Sequence, residues 1–294
     1  MVEVQMENIT MMQVRLEEIY NQSEINLDVW RLPFEDEFDH HANAKWMSEN
    51  WTVSVWFALA YACLIYFGQK FMKDRPAYNL QKPLEVWNWS LAIFSIMGSI
   101  KILPYISAIL HNEGFRSSLC IDHHDVEFFR PGVFWIWMFA YSKVVELGDT
   151  AFIILRKRPL IFLHWYHHIT VLIYTWFSFS DLTPSGLWFI GMNYTVHAFM
   201  YTYYSLRSMS VKVPRSVSMT ITIMQIVQMV MGCFINYMAY HYRNDGKGCQ
   251  VSWWNVASSA IMYGSYWVLF CWFFYNAYLV PGGKRREKRH DKVQ

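Results

Sequence analysis

Charge is what this chain has least of. Only 16% of its 294 residues are Asp, Glu, Lys or Arg, while 54% are hydrophobic and 19% aromatic, a balance that excludes an ordinary soluble domain of this length. Cysteine is sparse as well: of five, Cys63, Cys233 and Cys271 fall inside apolar stretches and read as small core residues, which leaves Cys120 and Cys249 outside them. Internal repeats, low-complexity tracts and a second soluble domain are all missing, so one domain is expected. Residues 1–50 lack an apolar core segment; no cleavable signal peptide is expected, and the first apolar stretch would serve as the insertion signal.

What is present is apolar sequence in seven stretches, near residues 52–71, 84–110, 132–155, 160–179, 186–206, 216–240 and 253–280. Each is long enough, at 1.5 Å per helical residue, to cross about 30 Å of hydrocarbon. Lys101 and Pro104 interrupt the second, where a kink or break is expected. One set of loops carries Lys73, Arg75 and Lys82, then Arg156, Lys157 and Arg158, then Arg207, Lys212 and Arg215, and finally a basic tail at 284–289. The alternate loops carry only Arg116 and Arg130, then Arg243 and Lys247. By the positive-inside rule the expectation is an all-α polytopic membrane protein with seven transmembrane helices, N-terminus lumenal and C-terminus cytosolic. It divides into a lumenal N-terminal extension (1–50), a seven-helix membrane domain (51–281) and a basic cytosolic tail (282–294). Asn8 and Asn21 stand in glycosylation triplets on the lumenal side. Cys120 and Cys249 share that oxidising side, and a disulfide between them is expected. A short helix over 6–20 and an interfacial aromatic anchor over 46–51 complete the N-terminal region.

Polar side chains inside the apolar stretches point to function, because buried ionisable groups are costly in a bilayer. In the fourth stretch, His164, His167 and His168 share one helix face at i, i+3 and i+4. In the third, Lys143, Glu146 and Asp149 fall within two turns, and Lys143 can pair with Glu146; the bland alternative is a structural ion pair. The turn at 156–159 is short enough to make these two helices an antiparallel pair, with both polar clusters in their cytosolic halves. The fifth stretch adds Asn193, His197, Met200, Tyr201 and Tyr204 on one stripe, and the sixth adds Thr222, Gln225 and Gln228.

Three chemistries compete for this set. A histidine-box di-iron desaturase or hydroxylase needs more imidazoles than the four on the cytosolic side, since His40, His41, His111, His123 and His124 lie on the other. A transporter or receptor needs polar residues through the full depth. Metal-free acyl transfer, with imidazole as nucleophile or general base, suits a one-sided cluster.

Taken in order, SKVVELGDT (142–150), HWYHH (164–168), MNYTVHAFMYTYY (192–204) and TIMQIVQ (222–228) resemble the four signature segments of the very-long-chain fatty acid elongases. The resemblance covers about residues 34–281. Trp165-Tyr166 is similar to the palmitoyl-type branch that extends saturated and monounsaturated chains. The tail departs from the family's dilysine-type retrieval signal, with His290 where a Lys is usual.

This resemblance implies condensation of a long-chain acyl-CoA with malonyl-CoA in the endoplasmic reticulum membrane, without cofactor or metal. It implies a 3-ketoacyl-CoA reductase, a 3-hydroxyacyl-CoA dehydratase and an enoyl-CoA reductase as partners, with the lipid bilayer around the chain and a homo-oligomer as an option. His167 is the first choice for the acylated residue. Asn193, His197, Gln225 and Lys143 would stabilise developing negative charge, and His164, His168 and Glu146 would orient or deprotonate. Asp149, Tyr201, Tyr204, Gln225 and Gln228 would contact substrate. Arg156, Lys157, Arg158, Lys212 and Arg215 would meet the CoA phosphates, the alternative being plain topology signals. Trp188, Phe189, Phe234 and Tyr237 are the expected stop for an acyl tail of about sixteen carbons.

Overall fold

The computed structural model describes residues 32–123 and 130–280. The glycosylation triplets at Asn8 and Asn21, the expected helix over 6–20, His124 and the tail 282–294 lie outside the described residues. Within them the chain is helical, with no strand. Pro33 opens the short α1 (Pro33–Asp36), and the Asp39 carboxylate accepts from Ala42 N–H at 2.9 Å to cap α2 (His40–Asn50), the usual solution for an orphan donor in a first turn. Then follow α3 (Val53–Met72), α4 (Gln81–Asn112), the single-turn α5 (Ser117–Cys120), α6 (Arg130–Val145), α7 (Gly148–Leu155), α8 (Phe162–Ser180), α9 (Gly186–Ser208), α10 (Arg215–Asn244) and α11 (Trp253–Phe274), which continues as a π-helical turn over Tyr275–Leu279. All seven apolar stretches are helical, and α3, α4, α10 and the segment Trp253–Leu279 are long and apolar enough to cross a membrane.

Two local expectations change. The second stretch does not break at Lys101 and Pro104: α4 runs through both without interruption. Lys101 is instead satisfied from outside the helix, its Nζ 2.8 Å from the Glu35 carboxylate of α1. The other Glu35 oxygen accepts from Trp135 Nε1 at 2.6 Å, and Glu35 is only 1% exposed. Residues 33–50 are therefore packed rather than trailing, with α1 against α6 and α2 against α8. The third stretch, expected as one helix, is two. Between α6 and α7 the chain tightens into i→i+3 bonds from Leu147 N to Val144 O and from Asp149 N to Glu146 O, a 3₁₀ segment of the kind found where a helix carries function or strain.

Packing partners close a ring: α4 lies along α9, α9 against α10, α10 against α11, α11 against α8, α8 against α6, and α6 back against α4. The remaining long helix, α3, stands outside it against α7 and α8. Its buried residues include Ser54, Ala58 and Tyr61, one helical stripe, while Trp56, Leu64, Tyr66 and Phe67 are exposed as lipid-facing side chains would be.

The two ends of the ring differ. At one, Lys157 Nζ donates to the carbonyls of Lys73 and Arg75 at 3.0 and 2.8 Å, and the Gln81 amide donates to Ser208 O at 3.0 Å. At the other, a disulfide joins Cys120 to Cys249, Gln250 N–H donates to Cys120 O at 3.0 Å, and the Arg116 guanidinium pairs with Asp245. Hydrogen bonds from Arg116, and then from the Lys247 N–H, hold the Asp245 carboxyl down at about 2. A depressed carboxylate contributes stability above its unfolded value and loses it as pH falls, so this clamp persists until the pH approaches about 2.

Replacing Lys101 with Met strands the buried Glu35 carboxylate and is expected to lower unfolding stability in detergent by about 3–5 kcal/mol. The double variant Lys101→Met, Glu35→Met is expected to recover most of that loss. Thermal unfolding of the three proteins checks both statements.

Candidate active site

The apolar face of α8 binds it to the ring, and its first two turns carry the three histidines. Ring centroids lie 4.5 Å apart for His164 and His168 and 5.5 Å apart for His167 and His168. Their environments differ. His164 Nε2 is 2.9 Å from Thr150 Oγ1. His168 is buried, and its Nδ1 has no partner among the described residues. His167 is half-buried, its ring 5.0 Å from that of Tyr266, and neither of its nitrogens takes a hydrogen bond among the described residues.

Facing α8 is the break between α6 and α7. Lys143 Nζ donates to Glu146 Oε1 at 2.7 Å and to Asn193 Oδ1 at 3.1 Å. Ser142 Oγ donates to the same Glu146 oxygen at 3.0 Å. An amide whose oxygen faces Lys143 must turn its nitrogen the other way, and Asn193 Nδ2 reaches His197 Nε2 at 3.2 Å. That assigns His197 Nε2 as the acceptor and places its proton on Nδ1. Just past the break, the Asp149 carboxylate accepts from Trp87 Nε1 at 2.6 Å and from Tyr201 OH at 2.8 Å. Gly148 makes this contact possible, since a Cβ there would lie 2.7 Å from the Trp87 ring.

A cavity with about 190 Å³ of free volume opens among these groups, within the ring. Asp149, His164, His167, His168, Asn193 and His197 line it, with Tyr201, Tyr204, Gln225 and Gln228. Its remaining wall is apolar and aromatic, from Val171, Met200 and Met229 to Tyr263 and Phe273. Polar groups gathered on one part of an otherwise apolar cavity suit a ligand with a reactive head and a hydrocarbon tail.

Several expected site residues stand elsewhere. Lys143 and Glu146 do not reach the cavity; they are spent on each other behind Asn193, so they position it rather than touch a substrate. None of Arg156, Lys157, Arg158, Lys212 and Arg215 lines the cavity. Lys157 is held by backbone carbonyls, and Arg215 donates to Ala277 O at 2.8 Å. Thr222 back-bonds to Ser218 O at 3.0 Å. Of the four expected stop residues, Phe234 and Tyr237 are exposed on the outside of the ring, and Trp188 donates to Ser118 Oγ at 3.0 Å. Phe189 alone backs the cavity, its ring 4.7 Å from that of Tyr263.

Other site residues carry no flag in the sequence. Trp87, Thr150 and Tyr61 join the site only through long-range hydrogen bonds. Tyr266 had a fainter signal: Met262, Tyr263, Tyr266, Phe270 and Phe273, all on the cavity wall, repeat at helical spacing along α11. Among the described residues no three His, Cys, Asp or Glu side chains are arranged to hold a metal ion, which leaves the di-iron alternative without a ligand set.

The comparisons agree with the four segments on the cavity wall. Residues 46–286 match the family described as ELO, GNS1/SUR4. The chain belongs to that family. It is 46% identical to very long chain fatty acid elongase 6 of Drosophila melanogaster over 273 residues, covering 90% of this chain and 86% of the relative. It is equally identical to the Gallus gallus elongase 6 over 86% of this chain and 95% of that one. Against very long chain fatty acid elongase 3 of Homo sapiens it is 45% identical over 82% and 88%. The ELO-family assignment leaves the desaturase alternative unsupported.

Gly148→Ala is expected to push Trp87 off Asp149, costing about 1–3 kcal/mol of stability as an overpacked substitution does. Unfolding in detergent measures the loss, and tryptophan fluorescence reports whether Trp87 has moved.

Proposed function

We infer that this chain condenses a long-chain, saturated or monounsaturated fatty acyl-CoA with malonyl-CoA, giving 3-ketoacyl-CoA, free CoA and carbon dioxide. Membership of the elongase family, with the names of its relatives, supports the reaction; an apolar cavity headed by four imidazoles supports its chemistry.

One observation carries the assignment of roles. His164 and His197 each spend a ring nitrogen on a protein hydrogen bond, and His168 lines the cavity at only 6% exposure, whereas His167 is half-buried on the same wall and takes no ring hydrogen bond among the described residues. His167 is thus the nucleophile: a ring nitrogen attacks the thioester carbon, and the C–S bond breaks to release CoA, which takes up the proton the imidazole loses. Loss of carbon dioxide from malonyl-CoA then yields an enolate, whose carbon attacks the acyl carbon; the C–N bond to the ring breaks, and the departing nitrogen takes up one proton from solvent, which restores neutral His167. Negative charge on the reacting oxygens is met by the Asn193 and Gln225 amides; Gln225 Nε2 has only the soft Met200 sulfur, at 3.4 Å, to leave. Lys143 and Glu146 act behind Asn193.

The chain spans the endoplasmic reticulum membrane seven times, counting α6 with α7 as one span and adding α8 and α9 to α3, α4, α10 and α11. The end bearing Lys73, Arg75 and Lys157 faces the cytosol, and the Cys120–Cys249 end faces the lumen with the N-terminus, where Asn8 and Asn21 receive glycans. Basic residues at the cytosolic end meet the CoA phosphates outside the cavity. The 3-ketoacyl-CoA product passes to the reductase, dehydratase and second reductase of the cycle. No cofactor or metal is required.

Purified protein supplied with malonyl-CoA and a panel of acyl-CoAs is expected to release carbon dioxide and form 3-ketoacyl-CoA fastest with chains of about sixteen carbons. Faster extension of polyunsaturated twenty-carbon chains would refute the branch. Phe189→Ala is expected to lengthen the product by roughly two carbons by relaxing the wall behind Tyr263, and Phe234→Ala and Tyr237→Ala to leave it unchanged. Chromatography of the products distinguishes them.

A further inference from the structure

The peripheral helix α3 sends one polar side chain inward. Tyr61 is 3% exposed, and its hydroxyl lies 2.6 Å from Thr150 Oγ1, itself 2% exposed in the first turn of α7. Thr150 Oγ1 in turn lies 2.9 Å from His164 Nε2. A line of two buried hydroxyls and the half-buried His164 ring thus runs from outside the ring of helices to the cavity wall. Neither hydroxyl belongs to any other part of the active site.

We propose that Tyr61 and Thr150 form a positioning relay that fixes the His164 ring, with Nε2 held by Thr150 and Nδ1 left as its free nitrogen. The inference rests on the condensation proposed above only for its activity readouts. Two oxygens and one ring nitrogen in a row share their protons in one direction at a time. When Tyr61 donates to Thr150, Thr150 donates to His164 and the proton of the imidazole sits on Nδ1; the reverse order puts it on Nε2. In the first order a turned ring leaves the Thr150 O–H without its acceptor, and in the second it leaves the ring N–H without one, a loss the apolar interior penalises in both. His164 lies 4.5 Å from His168, and His168 lies 5.5 Å from His167, so a fixed His164 ring also limits where its neighbours can stand. This gives α3 a reason to be present beyond covering α7 and α8: its buried stripe runs through Tyr61.

The test uses full-length protein carrying Tyr61→Phe, Thr150→Val, Thr150→Ser or the pair Tyr61→Phe with Thr150→Val, and the lipid-facing Tyr66→Phe as control. Losing one buried hydrogen bond of ordinary net strength predicts a fall in kcat of roughly three- to tenfold for Tyr61→Phe and at least as much for Thr150→Val. KM for both substrates is expected to hold within about twofold. Thr150→Ser should restore kcat, and the pair should be no slower than Thr150→Val alone, since both changes cut one chain. A wild-type kcat for Tyr61→Phe, a multiplicative effect in the pair, or a Thr150→Ser variant as slow as Thr150→Val would each overturn the relay. Nitrogen NMR of labelled histidine supplies a readout independent of the reaction. One His164 tautomer is expected in the wild type and an averaged ring in Thr150→Val; an unchanged signal overturns the relay even if no condensation is found, while absent condensation with the expected signal overturns only the reaction.

Discussion

The arrangement depends on one buried ion pair. Lys143 and Glu146 are 2% and 3% exposed, so burying either charge without the other would be costly, and both take further partners. Lys143 finds its second hydrogen-bond acceptor in the Asn193 oxygen, and this fixes the amide on the neighbouring helix. Once that amide is fixed, its nitrogen can only face His197, and the tautomer of a cavity imidazole follows. The same pair lies at the point where α6 gives way to α7. The tighter 3₁₀ turn there sends Asp149 towards Tyr201 on α9 and Thr150 towards His164 on α8. One charge pair and one change of helical pitch therefore set three walls of the cavity.

Helical character and the polar stripes were legible because hydropathy and the 3.6-residue period survive folding. His164, His167 and His168 share a face in the sequence and share the cavity in space. The break in the third stretch was not legible, since a turn of 3₁₀ helix changes no side chain's polarity. Glu35 carries no mark in the N-terminal extension, and Lys101 only interrupts an apolar run; long-range packing makes them partners. Tyr61 is one aromatic among many in α3, with no neighbour at helical spacing to mark it. Phe234 and Tyr237 were chosen by depth along α10, and depth omits the angle around it. Gly232 faces inward against Tyr263, and two residues later, about 200° around the helix, Phe234 faces out.

The cavity also explains how a soluble head and an insoluble tail are handled together. Its charged and amide groups come from α7, α9 and α10, while α11 contributes mostly bulk. Aromatic rings stacked behind Tyr263 set the far limit, and the disulfide-linked loops lie beyond them, with Cys120 and Leu119 in the same buried cluster as Tyr263 and Phe189. The ring is thus firm where a tail would end and polar where a thioester would react.

In the proposed reaction His167 carries the acyl group between the two substrates. Intact-protein mass after exposure to palmitoyl-CoA without malonyl-CoA tests it directly. The wild type is expected to gain one acyl group, lost on addition of malonyl-CoA, and His167→Ala to gain none. An unmodified wild-type mass, or an acyl group retained in His167→Ala, would contradict it.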